Sequence, residues 1–313
     1  MTLRTRQLHR GGLDLHLVEA GSGPLVLLLH GYPETSYSWR HQLPVLAGAG
    51  MHAVAPDLRG VGHSDAPSHE GGYGMPHLIA DVIGIIDGLG AANAVLVGHD
   101  WGAQLAWQVA ECHPARVRGI VALSVPYAPL AAPTPAQVVM RPAKFFEDYF
   151  ALVAGDEPRL REALRRFFVA LSGDAPPHTL DVLFDAPNGP DTQTLRDLPL
   201  DPALSRRWLT DEDLDHYTRE FMYSGFAGVF GRYRSLLRDF TQAPGTRGRG
   251  LGHPATFLGG TQDSAVRFAN LDQMRALLPN LQELTLLRGC GHWVQQERPD
   301  AVNAAILDLL AQV

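Results

Sequence analysis

The stretch Ala94-Val95-Leu96-Val97-Gly98-His99-Asp100-Trp101-Gly102 joins a short apolar run to a helical pattern that continues to Cys112. A continuous apolar run of this length is typical of a strand buried on both faces of a sheet. Gly98 and Gly102 flank Asp100 in the pattern small-x-nucleophile-x-small, which is typical of a sharp strand-to-helix turn. The stretch therefore predicts an α/β sheet that presents Asp100 at the carboxyl end of a parallel strand.

Further apolar runs on both sides of this stretch repeat the strand pattern. They cover residues 24–29, 52–56, 117–123, 255–260 and 281–287. Segments long enough for helices separate them, at residues 36–49, 75–89, 268–278 and 299–310. Strands that alternate with helices predict a mostly parallel sheet with right-handed crossovers and helices on both faces.

The middle of the chain breaks this alternation. Residues 126–135 are proline-rich, residues 140–240 contain no good strand run, and residues 243–250 are rich in glycine. Helical spacing is clear at 159–168 and at 211–222. The sequence therefore predicts an α/β core formed by residues 1–126 and 245–313, with a helical lid domain inserted at 127–244.

The composition excludes several classes of function. The chain has 313 residues, 45% of them hydrophobic, and a formal net charge of −7. That balance argues against a nucleic-acid partner, which would need a basic patch. No apolar stretch approaches the length of a membrane span, and the basic residues at 1–6 precede no apolar segment typical of a signal peptide. We therefore expect a cytoplasmic protein that binds neither nucleic acid nor membrane.

Nothing in the chain indicates a metal or a disulfide framework. The chain has neither a cysteine cluster nor a His-Glu-x-x-His helix, and its two cysteines, Cys112 and Cys290, need not pair. We expect no metal and no cofactor.

Reactive groups also follow three other predicted strands. His30-Gly31-Tyr32-Pro33 follows the first run, Asp263 lies just beyond 255–260, and His292 lies just beyond 281–287. The chain order Asp100, Asp263, His292 is the order of nucleophile, acid and histidine in the α/β-hydrolase fold. In such a set His292 activates water and Asp263 orients its imidazole. The backbone N–H groups of Tyr32 and Trp101 are the expected oxyanion hole.

A carboxylate at the turn indicates a particular chemistry. Asp100 cannot act as a serine-type acyl nucleophile, but it can attack carbon and form an ester. The chain has no Gly-x-Ser-x-Gly, which disfavours an ordinary esterase. The alternative reading of Asp100 is a helix N-cap, worth about 1 kcal/mol. The alternative reading of Asp263 and His292 is that each is a surface residue.

Four motifs together resemble the soluble, aspartate-nucleophile epoxide hydrolases of the α/β-hydrolase superfamily. They are His30-Gly31-Tyr32-Pro33-Glu34, Asp57-Leu58-Arg59-Gly60-Val61-Gly62-His63-Ser64-Asp65, Gly98-His99-Asp100-Trp101-Gly102 and Cys290-Gly291-His292-Trp293. The resemblance spans essentially the whole core. It implies hydrolysis of a small-molecule epoxide to a vicinal diol by water, without cofactor or metal, in a monomer or homodimer.

The resemblance also implies two lid tyrosines that hydrogen-bond the epoxide oxygen. Tyr149 lies where the first is expected, and Tyr233 ends the glycine-spaced run 224–234 that resembles the second. The family usually has Asn-Trp before that tyrosine, where this chain has Gly231-Arg232, which leaves Tyr223 as the nearest rival. For either tyrosine the alternative is simple ring packing in the lid. The substrate pocket is expected to include Trp101, Tyr32, Phe146 and Phe226.

Three other functions remain open at this stage. Haloalkane dehalogenases share the aspartate turn and the following tryptophan, but they typically have Asn where this chain has Tyr32, which counts against halide chemistry. A non-catalytic receptor with this fold usually keeps a serine at the turn. A biosynthetic enzyme that opens an epoxide in a larger natural product would use the same residues.

Overall fold

One eight-stranded sheet organises the molecule. The computed structural model describes residues 2–128, 147–175, 206–242, 250–267 and 269–313, together with 179, 201 and 204. The strands are β1 (Arg4–Arg10), β2 (Leu13–Ala20), β3 (Leu25–Leu29), β4 (His52–Pro56), β5 (Ala94–His99), β6 (Val117–Leu123), β7 (Ala255–Gly260) and β8 (Leu281–Leu287). Their order in the sheet is β1-β2-β4-β3-β5-β6-β7-β8. The six strands from β3 to β8 pair in parallel, so the mostly parallel sheet predicted from the sequence is confirmed.

Successive residues of the central strands face opposite sides of the sheet, and both sides are buried. In β3, Leu27 and Leu29 belong to one apolar cluster, whereas Val26 and Leu28 belong to a second. Such a strand has no polar face, which is why it reads as a continuous apolar run in the sequence.

Helices cover both faces of this sheet. In chain order, the α-helices of the described residues are α1 (Leu43–Gly48), α2 (Met75–Gly88), α3 (Trp101–Cys112), α4 (Glu157–Ala170), α5 (Asp211–Ser224), α6 (Ala227–Gln242), α7 (Ser264–Arg267), α8 (Leu271–Leu277), α9 (Val294–Glu297) and α10 (Pro299–Leu310). The apolar residues of α2 and α3 join the cluster on one face, and those of α1 and α10 join the cluster on the other.

The N-terminal hairpin was not predicted. Strand β1 pairs antiparallel with β2, which pairs antiparallel with β4. Nearly every residue of β1 is exposed, so it carries no apolar run. In β2, Leu15 and Leu17 are buried and alternate with partly exposed residues. That alternation is the period-2 signal of a half-buried strand, and it could have identified β2.

Two helices are shorter than predicted. The segment 36–49 divides into a 3₁₀ turn at Ser36–Trp39 and helix α1, which has Pro44 in its first turn. A proline lacks the N–H that a helix interior needs, so a helix through residue 44 has to begin near it. The segment 268–278 yields α8, for which Asn270 is the N-cap through a hydrogen bond from the Gln273 N–H.

The described part of the inserted region is helical. Helix α4 is capped by the side chain of Asp156, and α5 begins with a capping box between Thr210 and Asp213. Most of the two linkers, at 126–135 and 243–250, lies outside the described residues, so the lid boundaries at 127 and 244 stay a prediction. Among the residues described, no helix has the length and apolar composition that crossing a bilayer requires.

Candidate active site

Asp100 lies at the junction of β5 and α3 in a strained conformation. Its backbone has φ 52° and ψ −118°, a region that costs a non-glycine residue about 1–3 kcal/mol. The flanking glycines allow the sharp turn because the backbone packs against itself there. A Cβ on Gly98 would lie 2.3 Å from the Gly102 carbonyl oxygen, and one on Gly102 would lie 2.0 Å from the Leu29 carbonyl oxygen. The turn therefore needs glycine on both sides of Asp100.

The Asp100 carboxylate does not cap helix α3. Its side chain makes no capping hydrogen bond to that helix. Instead, the Tyr32 N–H donates to Asp100 Oδ1 at 3.1 Å, and the Trp101 N–H also donates to the carboxylate. One carboxylate oxygen thus occupies the site that was predicted as an oxyanion hole, and the N-cap alternative does not describe this side chain.

His292 joins the two carboxylates into one arrangement. Its Nδ1 lies 3.0 Å from Asp263 Oδ2, and its Nε2 lies 3.5 Å from Asp100 Oδ2. Asp263 is 1% exposed and its Oδ1 accepts the Ala265 N–H at 2.9 Å, so its position is fixed. The three residues predicted from chain order are brought together at one edge of the sheet.

The charges of Asp100 and His292 stabilise each other. Burial alone would raise the pKa of Asp100, but the hydrogen bond and charge of His292 outweigh it and lower that pKa below its ordinary value. Burial alone would lower the pKa of His292, but the carboxylates of Asp263 and Asp100 raise it well above 6.5. The two pKa values shift in opposite directions because each group favours the charged form of the other.

A buried glutamate holds the backbone around His292. Glu297 accepts the N–H groups of Gly291 at 3.0 Å, Trp293 at 3.1 Å and Gly173 at 2.9 Å. The first two flank His292 in sequence, and Gly173 follows helix α4 in the lid region. The His292 N–H itself donates to the carbonyl of Leu171 at 2.8 Å. The loop that carries His292 is thus hydrogen-bonded directly to the residues that follow α4.

A second buried pair supports the same loop from the core. His99 Nδ1 lies 2.7 Å from Glu34 Oε2, and its Nε2 lies 2.8 Å from the His292 carbonyl oxygen. Glu34 also accepts the Gly31 N–H at 3.2 Å. This network therefore connects the turn beside Tyr32 to the backbone of His292.

A cavity of about 290 Å³ lies in front of Asp100. Its walls combine the three reactive residues with mostly apolar side chains, and they comprise Tyr32, Asp100, Trp101, Gln104, Val125, Phe167, Leu171, Tyr233, Asp263, Ser264, Ala265 and His292. Tyr233, Trp101 and Tyr32 were predicted to lie here. Gln104 of α3 and Phe167 of α4 were missed, because their helical spacing is the same whether they face a core or a cavity. The other residues that were missed lie outside these helices, and they are Val125, Leu171, Ser264 and Ala265.

Tyr233 is the lid tyrosine that reaches this cavity. Its ring packs edge-on against Trp101 with 5.2 Å between centroids. Burial, followed by the nearby Asp100 charge, raises the pKa of Tyr233 well above 10, so the hydroxyl carries its proton. Its rival Tyr223 is 71% exposed and packs against His63, so the ambiguity in register is resolved in favour of Tyr233.

The structure does not place Tyr149 or Phe226 in the cavity wall. The Tyr149 hydroxyl donates to the Ala163 carbonyl of α4 at 3.1 Å, and its ring is buried in the lid. Phe226 stacks between Phe150 and Phe221, at centroid distances of 4.5 and 4.7 Å. Both side chains pack inside the lid, so their sequence-based assignments to the site are corrected here. Phe146 lies outside the described residues.

Comparison with known proteins agrees with this geometry. The alpha/beta hydrolase fold family matches residues 24–299. Epoxide hydrolase A of Mycobacterium tuberculosis H37Rv is 38% identical over 97% of this chain and 96% of its own. Epoxide hydrolase 1 of Siraitia grosvenorii is 34% identical over 96% of both chains.

Solved structures show the same similarity. Epoxide hydrolase A from Mycobacterium thermoresistibile superposes with a TM-score of 0.85 and 37% identity, over 99% of this chain and 98% of that chain. An epoxide hydrolase from an endophytic Streptomyces gives a TM-score of 0.83 at 37% identity, over 99% of this chain and 95% of that chain. These relatives do not favour the dehalogenase alternative. In fold and along nearly its whole length, the chain belongs to the epoxide hydrolases of the α/β-hydrolase fold family.

Proposed function

We propose that this epoxide hydrolase forms a covalent ester on Asp100 and then hydrolyses it with water activated by His292. The observation that carries the proposal is one cavity shared by the Asp100 carboxylate, the His292 imidazole and Tyr233. Val125, Phe167 and Leu171 contribute apolar walls, so we propose a neutral, largely apolar epoxide as substrate.

The first step is ring opening. Asp100 Oδ2 attacks an epoxide carbon in line with the C–O bond that breaks, and the electron pair of that bond moves to the ring oxygen. Tyr233 donates its proton to this oxygen, for which a phenol that stays protonated at neutral pH is suited. Asp100 Oδ1 remains on the Tyr32 N–H, where it becomes the carbonyl oxygen of the ester.

The second step is hydrolysis of the ester. Esterification removes the Asp100 charge that helps to raise the pKa of His292, so the imidazole can pass its proton, by way of solvent, to the Tyr233 phenolate and restore the phenol. His292 then takes a proton from water, and the hydroxide attacks the Asp100 carbonyl carbon. The N–H groups of Tyr32 and Trp101 stabilise the oxyanion, each by about 3 kcal/mol. The acyl C–O bond breaks, and the diol oxygen takes a proton from His292. The carboxylic acid left on Asp100 then gives its proton to the imidazole, which restores the starting ion pair.

A substrate panel tests the reaction. We expect aryl and alkyl epoxides, with styrene oxide as the first probe, to yield vicinal diols, detected by chiral chromatography. Chloride release from haloalkanes without diol formation from any epoxide would contradict the proposal.

Tyr233→Phe is expected to slow ring opening by about 10²- to 10⁴-fold, because it removes the proton donor in the cavity. Tyr149→Phe removes a hydroxyl that is hydrogen-bonded to Ala163, so ring opening should change by less than about threefold while the lid loses about 1 kcal/mol of stability. Rapid mixing of excess enzyme with styrene oxide measures the rate, and thermal unfolding measures the stability. If Tyr149→Phe slows ring opening more than Tyr233→Phe does, Tyr149 is the proton donor and the assignment to Tyr233 is wrong.

Acid pH is expected to trap the ester. Ring opening needs ionised Asp100, whose lowered pKa keeps it charged as the pH falls. Hydrolysis needs neutral His292, so its rate falls first as the pH drops through the pKa of His292 in the ester state. Mass spectrometry of acid-quenched enzyme should show an adduct fraction that grows with decreasing pH. An adduct fraction that is constant with pH contradicts this order of events.

The remaining expectations concern the setting of the reaction. We propose that the enzyme works in the cytoplasm as a monomer or homodimer, with water and a small-molecule epoxide as its partners and with no nucleic acid or membrane. The mild negative charge of the chain supports the exclusion of nucleic acid.

A further inference from the structure

A buried cation lies behind the cavity wall and has no part in the mechanism so far. Arg232 precedes Tyr233 on α6, at a position where the resemblance to the family predicts tryptophan. Its side chain is 1% exposed, which is rare for arginine unless it has partners. An arginine that replaces an aromatic residue in a buried place calls for a physical reason.

The guanidinium is held in one place. It forms an ion pair with Asp239 one to two turns further along α6, and its Nη1 donates to the Tyr73 carbonyl at 3.1 Å. Asp239 is itself 6% exposed and accepts the Met75 N–H at 2.8 Å. Because both ends of the pair are fixed by the core, the position of the charge is fixed too.

The fixed guanidinium faces the indole of Trp101. Its carbon lies 4.5 Å from the Trp101 ring centroid, which is a cation–π contact. The Tyr233 ring meets the same indole edge-on at 5.2 Å, and the Trp101 side chain lowers the pKa of the Tyr233 phenol. The indole N–H is the one donor in that side chain, so Arg232 orients the group that can donate to the Tyr233 oxygen.

We propose that Arg232 is a positioning residue for ring opening: it holds the Trp101 indole N–H on the Tyr233 oxygen and places a positive charge beside the phenol as it gives up its proton. The inference rests on the proposed role of Tyr233. When Tyr233 donates its proton, its oxygen becomes negative, and both the indole N–H and the guanidinium then stabilise it. The support is the placement of the guanidinium carbon 4.5 Å from the Trp101 ring centroid, with the Tyr233 ring against the same indole. The Arg232 charge also acts to lower the pKa of Tyr233, although burial and Asp100 raise it overall.

The test compares variants of the buried pair. Arg232→Met alone leaves Asp239 without its partner, so the main variant is Arg232→Met with Asp239→Asn, which keeps the acceptor for the Met75 N–H. Arg232→Lys keeps the charge at that position. Arg234→Met is the matched control, since it removes an arginine from the same helix where the side chain pairs with Glu147 and is 46% exposed.

The measured quantities are the separate rates of ring opening and ester hydrolysis with styrene oxide in single turnovers. We expect the pair variant to slow ring opening about tenfold, a fraction of what general acid catalysis contributes. Arg232→Lys should stay within about threefold of wild type, and Arg234→Met should have no effect. Ester hydrolysis should change little in all variants, because the backbone N–H of Trp101, unlike its indole N–H, does not depend on Arg232 and remains in the oxyanion hole.

The deciding comparison repeats the pair variant in a Tyr233→Phe background. If Arg232 acts through Tyr233, the additional slowing there should be less than about twofold, since the two effects are not additive. Four results would each overturn the inference and leave the role of Tyr233 intact. The pair variant could slow ring opening equally in both backgrounds, or not at all. It could also slow ring opening and ester hydrolysis equally, or Arg232→Lys could be as slow as the pair variant. If Tyr233→Phe itself opens epoxides at the wild-type rate, the proposed function fails at Tyr233 and the inference fails with it.

Discussion

Asp100→Asn is expected to reduce turnover by at least about 10⁴-fold, a loss typical of removing a covalent nucleophile. The amide is a poor nucleophile, while its size and its hydrogen bond from the Tyr32 N–H remain nearly unchanged. Diol formation from styrene oxide measures the loss, on freshly purified protein whose mass excludes deamidation. Asp100→Ala tests the same loss of the nucleophile in a variant that cannot deamidate.

The matched control is an aspartate that does cap a helix. Asp156 accepts the Arg159 N–H at the start of α4, so Asp156→Asn should leave turnover unchanged. Similar losses in the two variants would mean that Asp100 matters for folding rather than for chemistry.

Isotope labelling identifies the oxygen that Asp100 transfers. In a single turnover of wild-type enzyme in ¹⁸O-water, the diol should carry unlabelled oxygen, because Asp100 Oδ2 leaves with the product. The label should enter Asp100 and appear in the diol from later turnovers. Solvent label in the diol of the first turnover would exclude the covalent route.

His292→Gln is expected to stop the reaction after one equivalent of epoxide. Ring opening uses Asp100 and Tyr233 and should persist, although it should slow because the carboxylate loses its imidazolium partner at 3.5 Å. Hydrolysis loses its base and should slow by about 10³-fold, within the range of general base catalysis. Stoichiometric adduct on Asp100, located by peptide mass spectrometry, is the expected signature.

Two further variants make the histidine result specific. Asp263→Asn leaves the imidazole in place but removes the charge 3.0 Å from Nδ1, so it should slow hydrolysis to a smaller degree. His253→Gln alters a half-buried histidine in the loop before β7, whose Nε2 lies 3.0 Å from the Pro114 carbonyl oxygen, and should have no effect on either step. Multiple turnovers by His292→Gln without adduct would mean that another group activates the water.

The positions of the main site residues could be predicted from short sequence segments. The glycines at 98 and 102 mark the turn around Asp100 in the sequence, although a side chain at Gly102 would meet the Leu29 carbonyl of the neighbouring strand β3. The positions of Asp263 and His292 followed from a general property of parallel sheets, whose strand ends meet at one edge. Burial of both sheet faces made the central strands visible as apolar runs, whereas the exposed β1 carried no such signal.

The lid was less predictable. Tyr149 and Tyr233 both lie on helical segments with aromatic neighbours, and the sequence does not show which ring turns inward. Helices α4 and α6 are distant in the chain, and only their packing sends the Tyr149 hydroxyl to Ala163 and Tyr233 to the cavity. The same holds for Arg232, whose contact with Trp101 joins residues 131 positions apart.

The chain alone therefore predicted the α/β-hydrolase core and the placement of Asp100, Asp263 and His292 at strand ends. These depend on steric limits and strand burial that act over a few residues. The tertiary arrangement decided which tyrosine reaches Asp100, that His292 is bonded to the residues after α4, and where the buried charge of Arg232 acts. Those contacts join segments far apart in the chain, and their geometry comes from side-chain packing that no local pattern records.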